Sequence, residues 1–94
     1  MYQAIATKFL GPTNHHGARI KASAEAGSIT VAWDHALSTE QNHVATAKAF
    51  AMKWGWDGAW AGGALPDGRG FAFVRLPTGT HFADAGERLG FNFP

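Results

Sequence analysis

Apolar and polar residues alternate along the first third of the chain, and this period of two predicts β-strands. Every second residue from Ala18 to Ala26 is apolar. The residues between them are polar: Arg19, Lys21, Ser23 and Glu25. We expect residues 2–10, 18–26 and 29–33 to form the three strands of an antiparallel meander, with a turn at Gly27–Ser28 before the third strand.

A helix is predicted over residues 39–54, because signals for both of its ends are present. Ser38 is followed three positions later by Gln41, which is the spacing of a capping box, and Gly55 is placed to end the helix. At 100° per residue, one side of this helix faces the sheet. The residues predicted on that side are His43, Val44, Ala47, Phe50, Ala51 and Trp54.

Turn residues between two short apolar runs predict a hairpin in the second half of the chain. The expected strands are residues 59–64 and 70–76, and Leu65–Gly70 supplies the Pro and Gly that tight turns favour. The full pattern, β-β-β-α-β-β, predicts an α+β fold in which one amphipathic helix packs on one face of an antiparallel sheet. We assign residues 1–76 to this single domain. Residues 77–94 form a C-terminal extension that either docks on the domain or awaits a partner.

The composition limits the core and excludes several kinds of protein. The 94 residues include four Trp and seven Phe but no Cys. A few large side chains must therefore anchor the core, and a disulfide frame, a thiolate metal site and a Cys nucleophile are excluded. The predicted anchors are Ile5, Phe9, Ile29, Val31, Trp33, Phe50, Trp54, Phe71 and Phe73.

Charge and hydropathy limit where in the cell the protein is expected and which partners it is expected to bind. No apolar run reaches the length that spans a membrane, and the first residues lack the basic and apolar regions of a signal peptide. The net charge of +1 gives no general attraction to nucleic acid. We therefore predict a cytoplasmic protein that does not contact a membrane.

Five segments carry motifs with a distinctive spacing: Phe9–Asn14, Gly17–Ala22, Ala26–Thr30, Trp33–His35 and Leu65–Gly70. They resemble a widespread group of small uncharacterised bacterial proteins, found largely on plasmids, integrated elements and phages. The resemblance covers residues 1–76 and implies a mobile-element context without a particular activity. Small proteins of such elements often inhibit host defence systems such as CRISPR effectors or restriction enzymes, so the resemblance associates this chain with that role.

Histidine and aspartate residues provide one candidate for enzyme chemistry. Asp34 and His35 are adjacent and suit an acid–base or metal-binding pair in a metal-assisted hydrolase. His15 and His16 lie in a predicted loop and His43 on the helix, without the one-turn spacing that puts two ligands on one helix face. We favour structural roles for all of them. The sequence thus predicts a protein that is not an enzyme, with no catalytic residue, metal or cofactor.

Protein binding is the leading functional prediction, because Arg beside an exposed Trp is a frequent composition of interfaces. The predicted contact surface joins the hairpin tip to the polar strand face. Its residues are Arg19, Lys21, Trp60, Asp67, Arg69 and Arg75. In the most specific version, the protein binds and inhibits a host defence effector. The alternative is an accessory protein for single-stranded nucleic acid, which would use Lys8 with these cations and stack bases on Trp60 or Tyr2.

Overall fold

The computed structural model describes residues 4–14, 17–66, 68–76 and 90–92, which form a sheet with a helix on one side. In chain order, the elements are β1 (Ile5–Leu10), β2 (Arg19–Ala24), β3 (Gly27–Ala32), α1 (Thr39–Lys53), β4 (Ala59–Ala64), β5 (Gly70–Arg75) and β6 (Gly90–Asn92). The predicted α+β class, with an antiparallel sheet and one helix among the described residues, is confirmed.

The sheet has the strand order β3-β2-β1-β5-β4-β6, and each pair of neighbouring strands is antiparallel. The strands before the helix form the predicted meander, and the β4–β5 hairpin joins it through β5. At this join, Thr7 pairs with Ala22 on one side and with Phe71 on the other. The two halves of the chain therefore share one continuous sheet.

The strand β6 comes from the segment that the sequence assigns to the C-terminal extension. It pairs with β4, and its Phe91 is buried in the core cluster. Residues 77–89 lie outside the described part of the chain. The division into a domain of residues 1–76 and an extension of residues 77–94 stays a prediction.

Local signals mark both ends of the helix. The Ser38 hydroxyl accepts a hydrogen bond from the Gln41 backbone N–H at 3.2 Å, and the Ser38 backbone N–H donates to Gln41 Oε1 at 2.9 Å, which completes the capping box. Gly55 follows the last turn with φ of +71°, a conformation that glycine adopts at low cost. The helix therefore stops one residue earlier than predicted.

The buried side of α1 differs from the predicted one. His43, Ala47, Phe50 and Ala51 are buried as expected, but Val44 is only half-buried and Trp54 is exposed. Two polar residues take their place: Asn42 and Thr46. Their burial is tolerated because each forms local hydrogen bonds, Asn42 Nδ2 to the Asp34 carbonyl at 2.9 Å and Thr46 Oγ1 to the Asn42 carbonyl at 2.8 Å.

The predicted turn at Gly27–Ser28 is wrong, because both residues belong to β3. The turn is Glu25–Ala26, and Gly27 pairs directly with Ala24 across it. The glycine is required by packing instead. A Cβ on Gly27 would lie 2.7 Å from the Trp54 ring, and the backbone φ of +155° is one that other residues rarely adopt.

The core lies between α1 and the middle of the sheet, so only part of the predicted anchor set is deeply buried. The anchors with no exposed area are Ile5, Phe50 and Phe73. The anchors exposed by more than a third are Phe9, Val31 and Trp54. Six strands span about 24 Å, whereas a helix with its side chains is about 10–12 Å wide. One helix cannot cover the whole sheet, and its margins remain accessible.

Candidate binding face

One face of the sheet packs against α1, and we call the opposite face the open face, although Ala59 and Ala61 on its β4 part are buried. Burial alternates along β1 and β2, where Thr7 and Ala22 point toward the helix and their neighbours point away from it. Three cationic side chains occupy the open face: Lys8, Arg19 and Lys21. Arg19 and Lys21 lie on the same face of β2, where Lys21 is exposed and Arg19 is half-buried with its Nε shielded from solvent. Their role in binding stays a prediction.

Strand pairing brings these cations together. Lys8 on β1 is the direct cross-strand partner of Lys21 on β2, and Arg19 pairs with Leu10 one step along the same face. Directly opposed residues have Cβ atoms about 4.5–5.5 Å apart, so the two ammonium groups share a small area. Such a like-charge pair weakens a sheet slightly, and binding an anion removes that cost.

The rest of the described open face leaves the positive charge uncompensated. None of the residues that the described strands place on it is Asp or Glu. None of Lys8, Arg19 and Lys21 has an ion-pair partner among the described residues. The face is also free of aromatic side chains over the described strands, since the aromatic residues of β1, β4, β5 and β6 point to the helix side.

The hairpin tip lies beside this cationic area. Gly70 is the cross-strand partner of Lys8, so Arg69 lies at the same level of the sheet, and its carbonyl accepts a hydrogen bond from the Phe9 backbone N–H at 3.2 Å. Gly70 is buried so tightly that a Cβ there would overlap the Thr7 carbonyl oxygen. The tip is therefore fixed to β1, but the register places Gly70, and not Arg69, beside Lys8 on the open face. Asp67 lies outside the described residues.

Arg75 does not lie near the hairpin tip as predicted. It stands at the other end of β5, about 17 Å from Gly70 along an extended strand. Its Nη2 forms a 3.2 Å ion pair with the Asp57 carboxylate, and its Nε donates to the Asp57 carbonyl at 3.0 Å. A Cβ on Gly58 would lie 2.7 Å from the guanidinium. Arg75 therefore holds the loop before β4.

Trp60 also differs from its predicted role, because it is completely buried. Its ring stacks between Trp56 and Phe91, with both ring centroids 5.9 Å away, and its Nε1 donates to the Asp57 carbonyl at 3.0 Å. A side chain in this position cannot touch a partner at the surface. Trp60 is a core anchor that the sequence assigned to the contact surface.

Asp34, the aspartate of the candidate hydrolase pair Asp34 and His35, has a structural role. The Asp34 carboxylate accepts a hydrogen bond from the Ala36 backbone N–H at 2.9 Å, and Asn42 Oδ1 accepts one from the Asp34 N–H at 2.9 Å. These bonds shape the turn that leads into α1, while the His35 side chain is exposed. The described residues contain no group of three or more His, Asp or Glu side chains arranged to hold a metal. His15, His16 and Tyr2 lie outside the described residues.

A buried polar pair links β1 to the helix, and sequence patterns did not predict it. Thr7 Oγ1 and His43 Nδ1 share a hydrogen bond of 2.6 Å, and the hydroxyl also lies 3.4 Å from the Phe71 carbonyl. The imidazole packs against Trp33 and Phe71. Burial lowers the pKa of His43 below its usual value, because the cationic form loses its hydration. With both groups fully buried, the pair joins helix to sheet and faces no substrate.

The comparisons with known proteins add no relative from which a role could be taken. No protein-family model, curated protein or solved structure matches this chain. The described part contains no helix with the length and apolar character needed to cross a membrane. The open face is therefore the feature of the molecule from which a function can be inferred.

Proposed function

We propose that this protein is a non-enzymatic binding protein whose open face holds an acidic surface of another protein. The observation that carries the proposal is the group of cations on two adjacent strands, Lys8, Arg19 and Lys21, without a carboxylate among the described residues of that face. Carboxylates complement ammonium and guanidinium groups in charge and in hydrogen bonding. A paired sheet presents these groups on a fixed backbone, so little ordering entropy is lost on binding.

A protein partner suits this face better than single-stranded nucleic acid does. Binding of single strands combines cations with aromatic rings on which bases stack. The aromatic rings of the described strands lie on the helix side, away from the cations. The open face continues instead into the small apolar residues Ala6, Ala72 and Val74. Small side chains next to cations allow another folded surface to approach closely.

In its more specific form, the partner is a host defence effector, such as a CRISPR effector or a restriction enzyme, which this protein inhibits by occupying it. The support for this form is the resemblance of five segments to small proteins of plasmids and phages. Inhibition by occupancy requires a stable contact and no chemical step. A small domain with a rigid charged face fits that requirement.

The test compares two charge reversals with the same effect on net charge. Lys21→Glu changes the centre of the cationic group, whereas Lys53→Glu changes an exposed lysine at the end of α1, beside Trp54. Both variants and the parent chain are used to capture proteins from bacterial lysate with and without nuclease treatment, and affinities are then measured with the purified partner. Lys21→Glu should weaken that affinity by at least about tenfold, because it places like charges in contact. Lys53→Glu should bind as the parent does.

Two results would contradict the proposal. One is equal binding by the Lys21→Glu variant and the parent. The other is capture that disappears after nuclease treatment, together with tight binding of a labelled single-stranded oligonucleotide at low salt that weakens steeply as salt is added. The second result would favour the nucleic-acid alternative.

A further inference from the structure

The outer edge of β3 is a regular strand edge without the features that normally prevent an edge strand from pairing with another chain. It belongs to the six-residue strand Gly27–Ala32, and no strand of the described chain pairs with it. The sequence Gly-Ser-Ile-Thr-Val-Ala contains no charge and no proline, and its pairing with β2 runs through all six residues without a bulge. Natural edge strands usually carry a lysine, a proline or a bulge, or are very short. At the other edge of the sheet, β6 has only three residues.

The hydrogen-bond pattern shows which groups on this edge need a partner. The Trp33 backbone N–H donates to the Ala18 carbonyl at 3.0 Å, so these two residues form a hydrogen-bonded pair in the β2–β3 ladder. Because bonded and non-bonded pairs alternate in an antiparallel ladder, Ile29 and Val31 direct their backbone groups to β2. The N–H and C=O groups of the alternate residues point outward: Ser28, Thr30 and Ala32.

We propose that β3 pairs antiparallel with β3 of a second copy of this chain, around a two-fold axis at Thr30. In this register, Thr30 lies opposite Thr30 of the second copy, and Ser28 lies opposite Ala32. Every outward backbone group of the strand then meets a donor or acceptor of the other copy. The axis is perpendicular to the sheet, so the helix-covered faces of both copies remain on the same side.

The side chains of β3 fit the same register. Ile29 lies opposite Val31 of the second copy on the helix side, in the non-hydrogen-bonded positions where side chains approach most closely. Val31 is 37% exposed in the single chain, and this contact covers it. On the open face, the two Thr30 hydroxyls lie side by side, a favourable cross-strand pair. The strand is thus complementary to itself in its backbone groups and on both faces.

Charge also favours a second copy over a foreign strand. The edge carries no charged residue that would select an acidic or basic peptide. The nearest like charges across the axis are the two Lys21 side chains, which are separated by three strand spacings, or about 14 Å. Salt screens charges over about 10 Å at 0.1 M, so this repulsion is small. The dimer would carry the cationic groups of both copies on one continuous face.

Cysteine cross-linking tests the register directly, because the chain has no cysteine of its own. Opposed residues of a hydrogen-bonded pair have Cα atoms about 5.5 Å apart, within the range of about 4.4–6.8 Å that a disulfide spans. Thr30→Cys should therefore form a disulfide-linked dimer rapidly under mild oxidation. Ser28→Cys is the matched control, since its two copies would be about 14 Å apart in this register. An equimolar mixture of Ser28→Cys and Ala32→Cys should cross-link at about half the rate of Thr30→Cys, because about half of the dimers then contain one copy of each variant.

Sedimentation of the unmodified chain over a dilution series gives the second measurement. We expect a monomer–dimer equilibrium that Thr30→Pro abolishes, while its far-ultraviolet circular dichroism stays that of the parent. Proline at this position removes an outward N–H and no bond to β2. Equal cross-linking rates for Thr30→Cys and Ser28→Cys, or a monomer at every concentration, would overturn the proposal. A dimer that survives Thr30→Pro would overturn it as well.

Discussion

Removal of the Trp60 side chain should strongly destabilise the protein, and this prediction tests whether Trp60 is an anchor or a contact residue. The ring is fully buried and lies in a stack between Trp56 and Phe91. A buried aromatic removes about 150–250 Å² from water, worth roughly 4–6 kcal/mol at about 25 cal/mol per Å². The indole N–H also donates to the Asp57 carbonyl, a bond worth about 1 kcal/mol net.

Measured losses for replacing a buried Trp or Phe by Ala are about 3–5 kcal/mol, so we expect Trp60→Ala to fall in that range. A domain of this size has a free energy of unfolding of about 5–15 kcal/mol, and each kcal/mol lowers the melting temperature by about 4–8 °C. The variant should therefore melt at least about 12 °C below the parent. Far-ultraviolet circular dichroism in urea measures the change without depending on tryptophan fluorescence.

Trp54→Ala is the matched control, because it makes the same chemical change at a side chain that is 39% exposed. Its loss should be clearly smaller, and Trp60→Phe should fall between the parent and Trp60→Ala, since it retains a ring but no N–H donor. A loss below about 1 kcal/mol for Trp60→Ala, or equal losses at Trp54 and Trp60, would refute the packing described here.

Two further predictions concern His43 and Gly70. Burial lowers the pKa of His43 in the folded chain below its usual value of 6.5. As the pH falls through 6.5, His43 therefore takes up a proton more readily in the unfolded chain than in the folded one. Stability should fall as the pH decreases below about 6.5, and urea titrations at several pH values should show a smaller fall for His43→Gln than for the parent. Gly70→Ala should destabilise the fold, since its Cβ would overlap the Thr7 carbonyl oxygen, whereas Gly63→Ala has open space and should cost little. Equal melting temperatures for the two alanine variants would contradict the close approach of β1 and β5.

Local signals in the sequence predicted most of the elements, because capping, turns and periodicity act over a few residues. The Ser38 and Gln41 capping box and the alternation of β2 are examples. The prediction failed where an interaction of distant residues decides the outcome. Gly27 looks like a turn residue from its neighbours, yet it is fixed by the Trp54 ring. Trp60 looks like a surface residue beside a hairpin, yet Phe91 covers it.

The candidate site was also predicted only in part, because local patterns identify some of its residues and the pairing of distant strands decides the others. The alternation of β2 identified Arg19 and Lys21 as one polar face. The predicted contact surface lacks Lys8, which the sequence assigns only to the nucleic-acid alternative, because β1 alternates less clearly. The cross-strand pairing of Lys8 with Lys21 places Lys8 on the open face. Arg75 was included because it follows the hairpin, but the extended strand carries it to the far end, where Asp57 binds it.

The join between β1 and β5 has a consequence for how the chain reaches its native state. The meander and the β4–β5 hairpin each form from neighbouring segments, but the Thr7 and Phe71 contact closes a loop of 64 residues. Closing a loop of that length costs roughly 2 kcal/mol more in chain entropy than closing a short hairpin. Non-local contacts slow folding, so we expect formation of this contact to limit the folding rate. His43 contacts Thr7 of β1 and Phe71 of β5, so the helix packs against both sides of the join in the folded protein.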